Sequence, residues 1–475
     1  MSDNLMLPGN PRYQPKSLVE IFGYDNLYVP VAEVELAGLM TLADIGVISG
    51  QDAKLLTPDV IESVLRIRTS LVDELERKVT KHDIRALVRI IQDMLPENLR
   101  RWVHVPFTSY DPMETGRTLQ YARAHHRVIK PKAREVILTL ADLVKKYASI
   151  LQIGRTHGQH ALPITVGFWM ATVLSRIVYN CQQTDEFAAG LVGKISGAVG
   201  ASNAAIGLGI GEKCGKVSFE TRVLARLGLN PAITSTQILP PEPLAYFLFS
   251  NLMLSASFGQ FGRDCRHLMR SEIAEIGEPF AEGQVGSSTM AQKRNPINFE
   301  NMEGMWLRNK SEFGKVLDAM ISEHQRDLVG SSLARDFPIL LVNLVLQMET
   351  LLRQDNSGRV FLERLTVNEA SCRRNLETSA SFVLAEPLYI ALQMAGYRDD
   401  AHELVNRKAM PLSQKSGRPL IYSVQELAKS DVVLADAVAN IPSNIVLLLE
   451  DATQYTGQAY AKAIQIASMA EKYAG

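Results

Sequence analysis

The chain has 475 residues, 46% of them hydrophobic and 21% charged, which supplies a large core and excludes a disordered or fibrous protein. Lys plus Arg number 50 and Asp plus Glu 51, a formal net charge of -1 that speaks against nucleic-acid binding by broad phosphate neutralisation. Any anionic ligand has to be held by local charges.

In chain order, Met1–Asn10 lacks the basic and apolar regions of a leader, and no run of about 18 apolar residues offers a membrane span anywhere. The four cysteines (Cys181, Cys214, Cys265 and Cys372) form no CxxC pair and no zinc-finger cluster, so they read as buried or free thiols in a reducing compartment, and the chain is expected to be a soluble cytoplasmic protein or one whose targeting segment is absent from this sequence. Between Lys132 and Leu151 the apolar residues Val136, Ile137, Leu140, Leu143, Val144, Tyr147 and Leu151 recur at helical spacing, with Lys130-Pro131 as a kink or helix start. Similar stretches predict long helices over Pro243–Ile276, Pro296–Ile321 and Pro338–Leu352. Strand-like alternation is scarce, so the predicted class is all-α, with a central bundle of long helices and at most small ribbons. Asn, Ser, Gly and Pro mark loops at Arg353–Gly358 and Met410–Leu420. Boundaries near Thr115 and Thr366 divide the chain into residues 1–115, 116–366 and 367–475, and no solenoid repeat is visible.

Three segments carry candidate chemistry. In Gly286-Ser287-Ser288-Thr289-Met290-Ala291-Gln292-Lys293-Arg294-Asn295-Pro296, Asn295 is the predicted N-cap and Pro296 the first residue of a helix. A helix start with Lys293 and Arg294 beside it suits a carboxylate; an exposed basic loop capping a bundle helix fits the same residues. In Gly154-Arg155-Thr156-His157-Gly158-Gln159-His160-Ala161, two histidines three apart would allow a metal pair on a helix, yet no third ligand accompanies them. Thr108-Ser109-Tyr110-Asp111, preceded by Trp102-Val103-His104, reads alone as a helix cap. Gly207, Gly209 and Gly211 have the wrong spacing for a dinucleotide loop.

Together, in this order, these segments resemble the GSSxMPxKxNP, GRTHxQxA and TSxD signatures of the fumarase/aspartase superfamily, and Glu300 fits the NPxxxE continuation. Further matches resemble the adenylosuccinate lyases within it: Arg12-Tyr13, Lys81-His82-Asp83, Lys194–Gly200, Thr236-Gln237, Arg326-Asp327 through Ser331-Ser332 to Arg335, and Tyr455-Thr456-Gly457. The chain departs from that pattern at Ala291, where proline is usual, at Gln292, at Pro106 and at Pro241-Glu242.

The resemblance implies a three-domain, fumarase/aspartase-like helical fold and β-elimination of fumarate from a succinyl-amine, namely adenylosuccinate and the succinyl-aminoimidazole carboxamide ribotide. It implies Ser287 as the base that takes a carbon-bound proton, His157 as the acid that protonates the leaving nitrogen, and Glu300 orienting it. It likewise implies Lys293 and Asn295 as the groups that stabilise the carbanion. Arg12, Tyr13, His82, Asp83, Thr108, Ser109, Thr156, Gln237, Arg326, Ser331 and Arg335 are the implied substrate-binding residues. A serine is a poor base unless its surroundings ionise it, whereas an imidazole near its ordinary pKa is suited to proton donation near neutrality. No cofactor or metal, no nucleic acid and no membrane is implied; the partners are a small-molecule substrate and further copies of the chain, in a homotetramer with shared active sites. Another fumarate-releasing lyase, a carboxymuconate-type cycloisomerase and a non-catalytic scaffold are the alternatives on the same fold.

Overall fold

Long helices dominate, and their lengths follow the apolar periodicity. A computed structural model describes residues 13–279, 290 and 292–475 of the protein. Helices span Tyr110–Ala124, Lys130–Lys146, Val166–Ala189, Glu242–Leu268, Ile297–Glu312 and Ile339–Leu351. The 27 residues of Glu242–Leu268 alone reach about 40 Å at 1.5 Å per residue. The π turn His125–Ile129 joins Tyr110–Ala124 to Lys130–Lys146. It places Pro131 just inside a new helical start, where a missing N–H is tolerated.

The chain forms two compact units. The first comprises residues up to Ala133, Tyr179–Gly259 and Met302–Thr350; the second comprises Arg134–Val178, Gln260–Asn301 and Leu351–Gly475. In the first, the helix Val29–Asp44 lies against Tyr110–Ala124 so closely that a Cβ on Gly116 would stand 3.0 Å from the Val31 nitrogen. Val34, Leu39, Leu87, Ile91, Val223 and Leu224 fill the adjoining core. Each such side chain contributes about 1.5–3 kcal/mol on burial. A fully buried polar set fixes how the long helices of this unit register: Ser255 donates to Gln347 Oε1 (2.8 Å), Asn343 to Asn309 Oδ1 (2.8 Å), and Gln347 to the Met302 carbonyl (2.7 Å). Buried amides require partners, so sliding one of these helices costs more than lost packing.

In the second unit the antiparallel strands Leu151–Thr156 and Gln159–Thr165 form a hairpin that packs on the helix Glu369–Ser379. A smaller core of Leu388, Leu392, Val405, Ile421, Val424 and Leu449 lies toward the C-terminus.

Four sequence expectations need correction. The helix foreseen over Pro243–Ile276 ends at Leu268, with Ile276 in a short strand, and the one over Pro296–Ile321 ends at Glu312, followed by the separate short helix Gly314–Asp318. The helix foreseen over Lys132–Leu151 stops at Lys146, and Leu151 opens a strand. There the chain doubles back: a Cβ on Gly167 would meet Ala148 Cα at 2.6 Å. Tyr147 and Leu151 keep a helical interval in sequence although the helix has ended. The loop foreseen over Met410–Leu420 is mostly the helix Met410–Ser416, with Pro411 in its first turn and Gly417, at φ 68°, ending it in the left-handed region. The irregular stretch at Arg353–Gly358 is as expected.

Candidate active site

His157 stands at the tip of the hairpin. Thr156 pairs with Gln159, leaving His157 (φ 53°) and Gly158 (φ 76°) as a two-residue turn with both central residues left-handed, the turn whose twist matches antiparallel strands. Thr156 and His157 are exposed. The metal-pair geometry considered for a helix is therefore not formed: His160 lies on the strand, 2.6 Å from Ser379 Oγ through its Nδ1. Burial, then the charge of Arg155, holds the His160 imidazole below its usual pKa. Arg155 is also engaged, by a bidentate pair to the fully buried carboxylate of Glu275 (2.6 and 3.1 Å).

The helix start at Ile297 differs from the sequence reading. The Pro296 carbonyl accepts the first intrahelical bond, from Glu300 N–H at 2.9 Å, so Pro296 is the capping residue and Asn295 precedes it. The open N–H groups are not free for an external carboxylate. Glu278 Oε1 accepts from Asn298 N–H (2.8 Å) and Phe299 N–H (2.9 Å), and its Oε2 accepts from the Asn298 amide (2.6 Å). Burial raises the Glu278 pKa against the pull of these donors. Lys293 and Glu300 are exposed, and no hydrogen bond or ion pair joins Glu300 to His157 among the described residues. Ser287 and Arg12 lie outside the described residues.

The first unit gathers the other predicted residues. Asp111 is the hub: its carboxylate pairs with Lys194, both side chains being almost wholly buried, and accepts from Thr108 N–H (2.8 Å), Ser196 N–H (3.1 Å) and Gly197 N–H (3.1 Å). With Asp111 holding the backbone, the Ser109 side chain makes no cap bond at the helix Tyr110–Ala124. The Arg326 guanidinium lies 3.2 Å above the Tyr110 ring and donates to Gln237 Oε1 at 2.9 Å, while Tyr110 Oη and Ser331 Oγ are 3.1 Å apart. Tyr110, Glu114, Arg117, Leu191, Leu244 and Ser331 are among the walls of an adjacent cavity of about 130 Å³.

Arg326 and Ser331 thus meet at Tyr110, with Gln237 joined to them through Arg326; Tyr110 is a motif residue to which the sequence alone assigns no role. Arg335 and Tyr13 are exposed. His82 has a local use: it precedes the helix Asp83–Met94 and its Nδ1 is 3.2 Å from Asp83 Oδ1. His104, in the run before Thr108, was likewise passed over; its Nδ1 lies 2.6 Å from the buried Glu35. Burial opposes its protonation, but the hydrogen bond and charge of Glu35 outweigh that and raise its pKa. The signal available in sequence was only its place beside the Thr108 motif.

Comparison with known proteins gives the arrangement a context. A lyase family matches residues 56–308, just over half of the chain. The adenylosuccinate lyase of Archaeoglobus fulgidus is 32% identical over 434 residues, 90% of this chain and 91% of its own, and that of Pyrococcus horikoshii 31% identical over 408 residues, 85% and 86%. Among solved structures, the 3-carboxy-cis,cis-muconate lactonizing enzyme of Pseudomonas putida superposes with a TM-score of 0.78 at 25% identity over 98% of both chains. A fumarate lyase of Mesorhizobium sp. BNC1 gives 0.76 at 20% identity over 96% of this chain and 98% of its own. The helical class, the signature segments in their order and these full-length likenesses agree: the chain is a member of the lyase family, with the all-α fold of the fumarase/aspartase superfamily and adenylosuccinate lyases among its relatives.

Proposed function

We propose that this lyase eliminates fumarate from adenylosuccinate to give AMP, and from the succinyl-aminoimidazole carboxamide ribotide of purine biosynthesis. The observation that carries the reading is the identity of 31–32% to adenylosuccinate lyases over at least 85% of the chain. The cluster of Gln237, Arg326, Tyr110 and Ser331 supports it, because a guanidinium with hydroxyl and amide groups suits a phosphate or carboxylate.

In this reading Ser287 takes the carbon-bound proton and the electron pair moves into the adjacent carboxylate. Lys293 and Asn295 stabilise that charge where it develops, the kind of fixed electrostatic contribution that lowers a barrier most. The C–N bond then breaks and His157 protonates the departing nitrogen. An exposed hairpin tip can meet a substrate without first giving up a partner. Arg12, Tyr13, Ser331 and Arg335 hold the phosphate; Thr108, Ser109, Thr156, Gln237, His82 and Asp83 hold the rest. The protein works in the cytoplasm as a homotetramer, with boundaries near residues 115 and 366, and each site combines segments of different subunits.

Fumarate release from adenylosuccinate and from argininosuccinate, and lactone formation from a 3-carboxymuconate, assayed side by side by absorbance, test the substrate. The muconate arm addresses the second reading, favoured by the 25% identity to the lactonizing enzyme. Turnover of adenylosuccinate at less than a tenth of either alternative would overturn the proposal. Mixing inactive Ser287→Ala and His157→Ala proteins under subunit exchange should restore part of the activity. No recovery despite verified exchange would rule out shared sites.

A further inference from the structure

Two buried carboxylates that no motif singled out, Glu275 and Glu278, stand three residues apart in the second unit. Glu275 accepts hydrogen bonds from Gln152 (2.7 Å) and Arg155 (2.6 and 3.1 Å) on the hairpin, and from Asn375 (2.7 Å) on the helix Glu369–Ser379. Its backbone is held as well: its N–H donates to the Leu268 carbonyl at 3.0 Å and its carbonyl accepts from Asn368 N–H at 2.8 Å. Ile276 and Gly277 then pair antiparallel with Thr366 and Val367. A Cβ on Gly277 would lie 2.6 Å from Thr366 Oγ1, so a larger residue there would have to displace that hydroxyl. Glu278 closes the sequence by taking the first open N–H groups of the helix Ile297–Glu312.

Burying two carboxylates is a poor way to gain stability, since desolvation offsets much of the attraction even for well-paired charges. What bidentate and multiply bonded carboxylates supply is orientation. We propose that Glu275–Glu278 is a positioning strap: one end sets the hairpin that presents His157, the other sets the helix start that follows Lys293 and Asn295 and carries Glu300. The role rests on the reading of those residues as the reacting groups. A displacement of about 1 Å between reacting groups costs on the order of a hundredfold in rate, so a rigid link is worth its charge.

The test uses the full-length protein with Glu275→Gln, Glu278→Gln and the double variant Arg155→Gln/Glu275→Gln. Each single variant should lower kcat for fumarate release 10- to 100-fold while the AMP dissociation constant stays within threefold. Hydrogen exchange should rise over residues 151–165 in Glu275→Gln and over 297–301 in Glu278→Gln. The double variant leaves no charge unpaired but still lacks the bidentate pair, so its kcat should stay within threefold of Glu275→Gln; recovery to near-parental kcat would assign the loss to an unpaired charge and overturn the strap. Unchanged kcat in both single variants, or AMP binding lost in parallel with kcat, would overturn the strap. Should Glu275→Gln fail to fold, Asn375→Ala removes one of its donors and should lower kcat at least threefold with AMP binding kept; parental kcat there counts against the proposal. If the parent releases no fumarate from adenylosuccinate, the proposed function fails, and the exchange measurement still decides the strap: unchanged exchange over 151–165 in Glu275→Gln overturns it.

Discussion

Asp111 and His157 both belong to signature segments, yet the structure treats them in opposite ways. Asp111 is sealed in the first unit, with Lys194 and three backbone N–H groups on its two oxygens. His157 is exposed at a turn, in the left-handed conformation that such a turn requires of both its central residues. The difference separates two reasons for a motif. On the proposed reading, a saturated residue builds the site and has no capacity left for a substrate, whereas an exposed polar residue at a hairpin turn keeps its side chain open to one.

The sharpest way to break this contrast is His157→Asn, since asparagine accepts positive φ and so keeps the turn. Turnover should fall roughly a hundred- to ten-thousandfold, the usual share of a general acid, with the melting temperature unchanged. Near-parental turnover would move His157 into the structural class. Asp111→Ala should do the reverse and show first in stability: leaving Lys194 buried and alone should cost about 3–5 kcal/mol in denaturant unfolding. Adding Lys194→Met should recover part of the loss; full additivity of the two would mean that the pair is not the source.

Arg335 tests the exposed class at a proposed binding position. Arg335→Ala, and likewise Arg12→Ala, should weaken AMP binding by about 1.5–3 kcal/mol in calorimetry with stability unchanged. Equal affinity would place the phosphate elsewhere.

His125 sharpens the comparison within one residue type. Buried beside Asp185, it is pushed down to about 4 by burial, against the pull of that carboxylate. It is therefore neutral in the fold, and an unfolded histidine near 6.5 binds the proton first. Its contribution is whole above about pH 6.5 and is lost as pH falls toward 4, at up to about 1.4 kcal/mol per pH unit. Unfolding free energies from pH 7.5 to 5 should fall less steeply in His125→Asn than in the parent; parallel slopes would show that His125 does not titrate in this window.

The helical class and the long helices Glu242–Leu268 and Ile339–Leu351 were legible in the sequence because apolar periodicity over many turns has no other economical solution. The signature segments were legible because they are long and ordered along the chain. The hairpin was not, because Tyr147 and Leu151 continue a helical spacing past the helix end, and what turns the chain there is Gly167 seated on Ala148. Nor could local sequence reveal that the open N–H groups of the helix starting at Ile297 belong to Glu278, 20 residues earlier. The capping rules name Asn295 as well suited, and only the folded chain shows a nearer carboxylate already in place. Tyr110, Glu275 and Asp111 share this character: their roles come from partners 80 or more positions away, such as Ser331 for Tyr110, Arg155 for Glu275 and Lys194 for Asp111. Local pattern determines which elements form, because helix and turn energetics act over a few residues; which side chains become saturated and which stay open is decided by contacts that exist only once distant segments have packed.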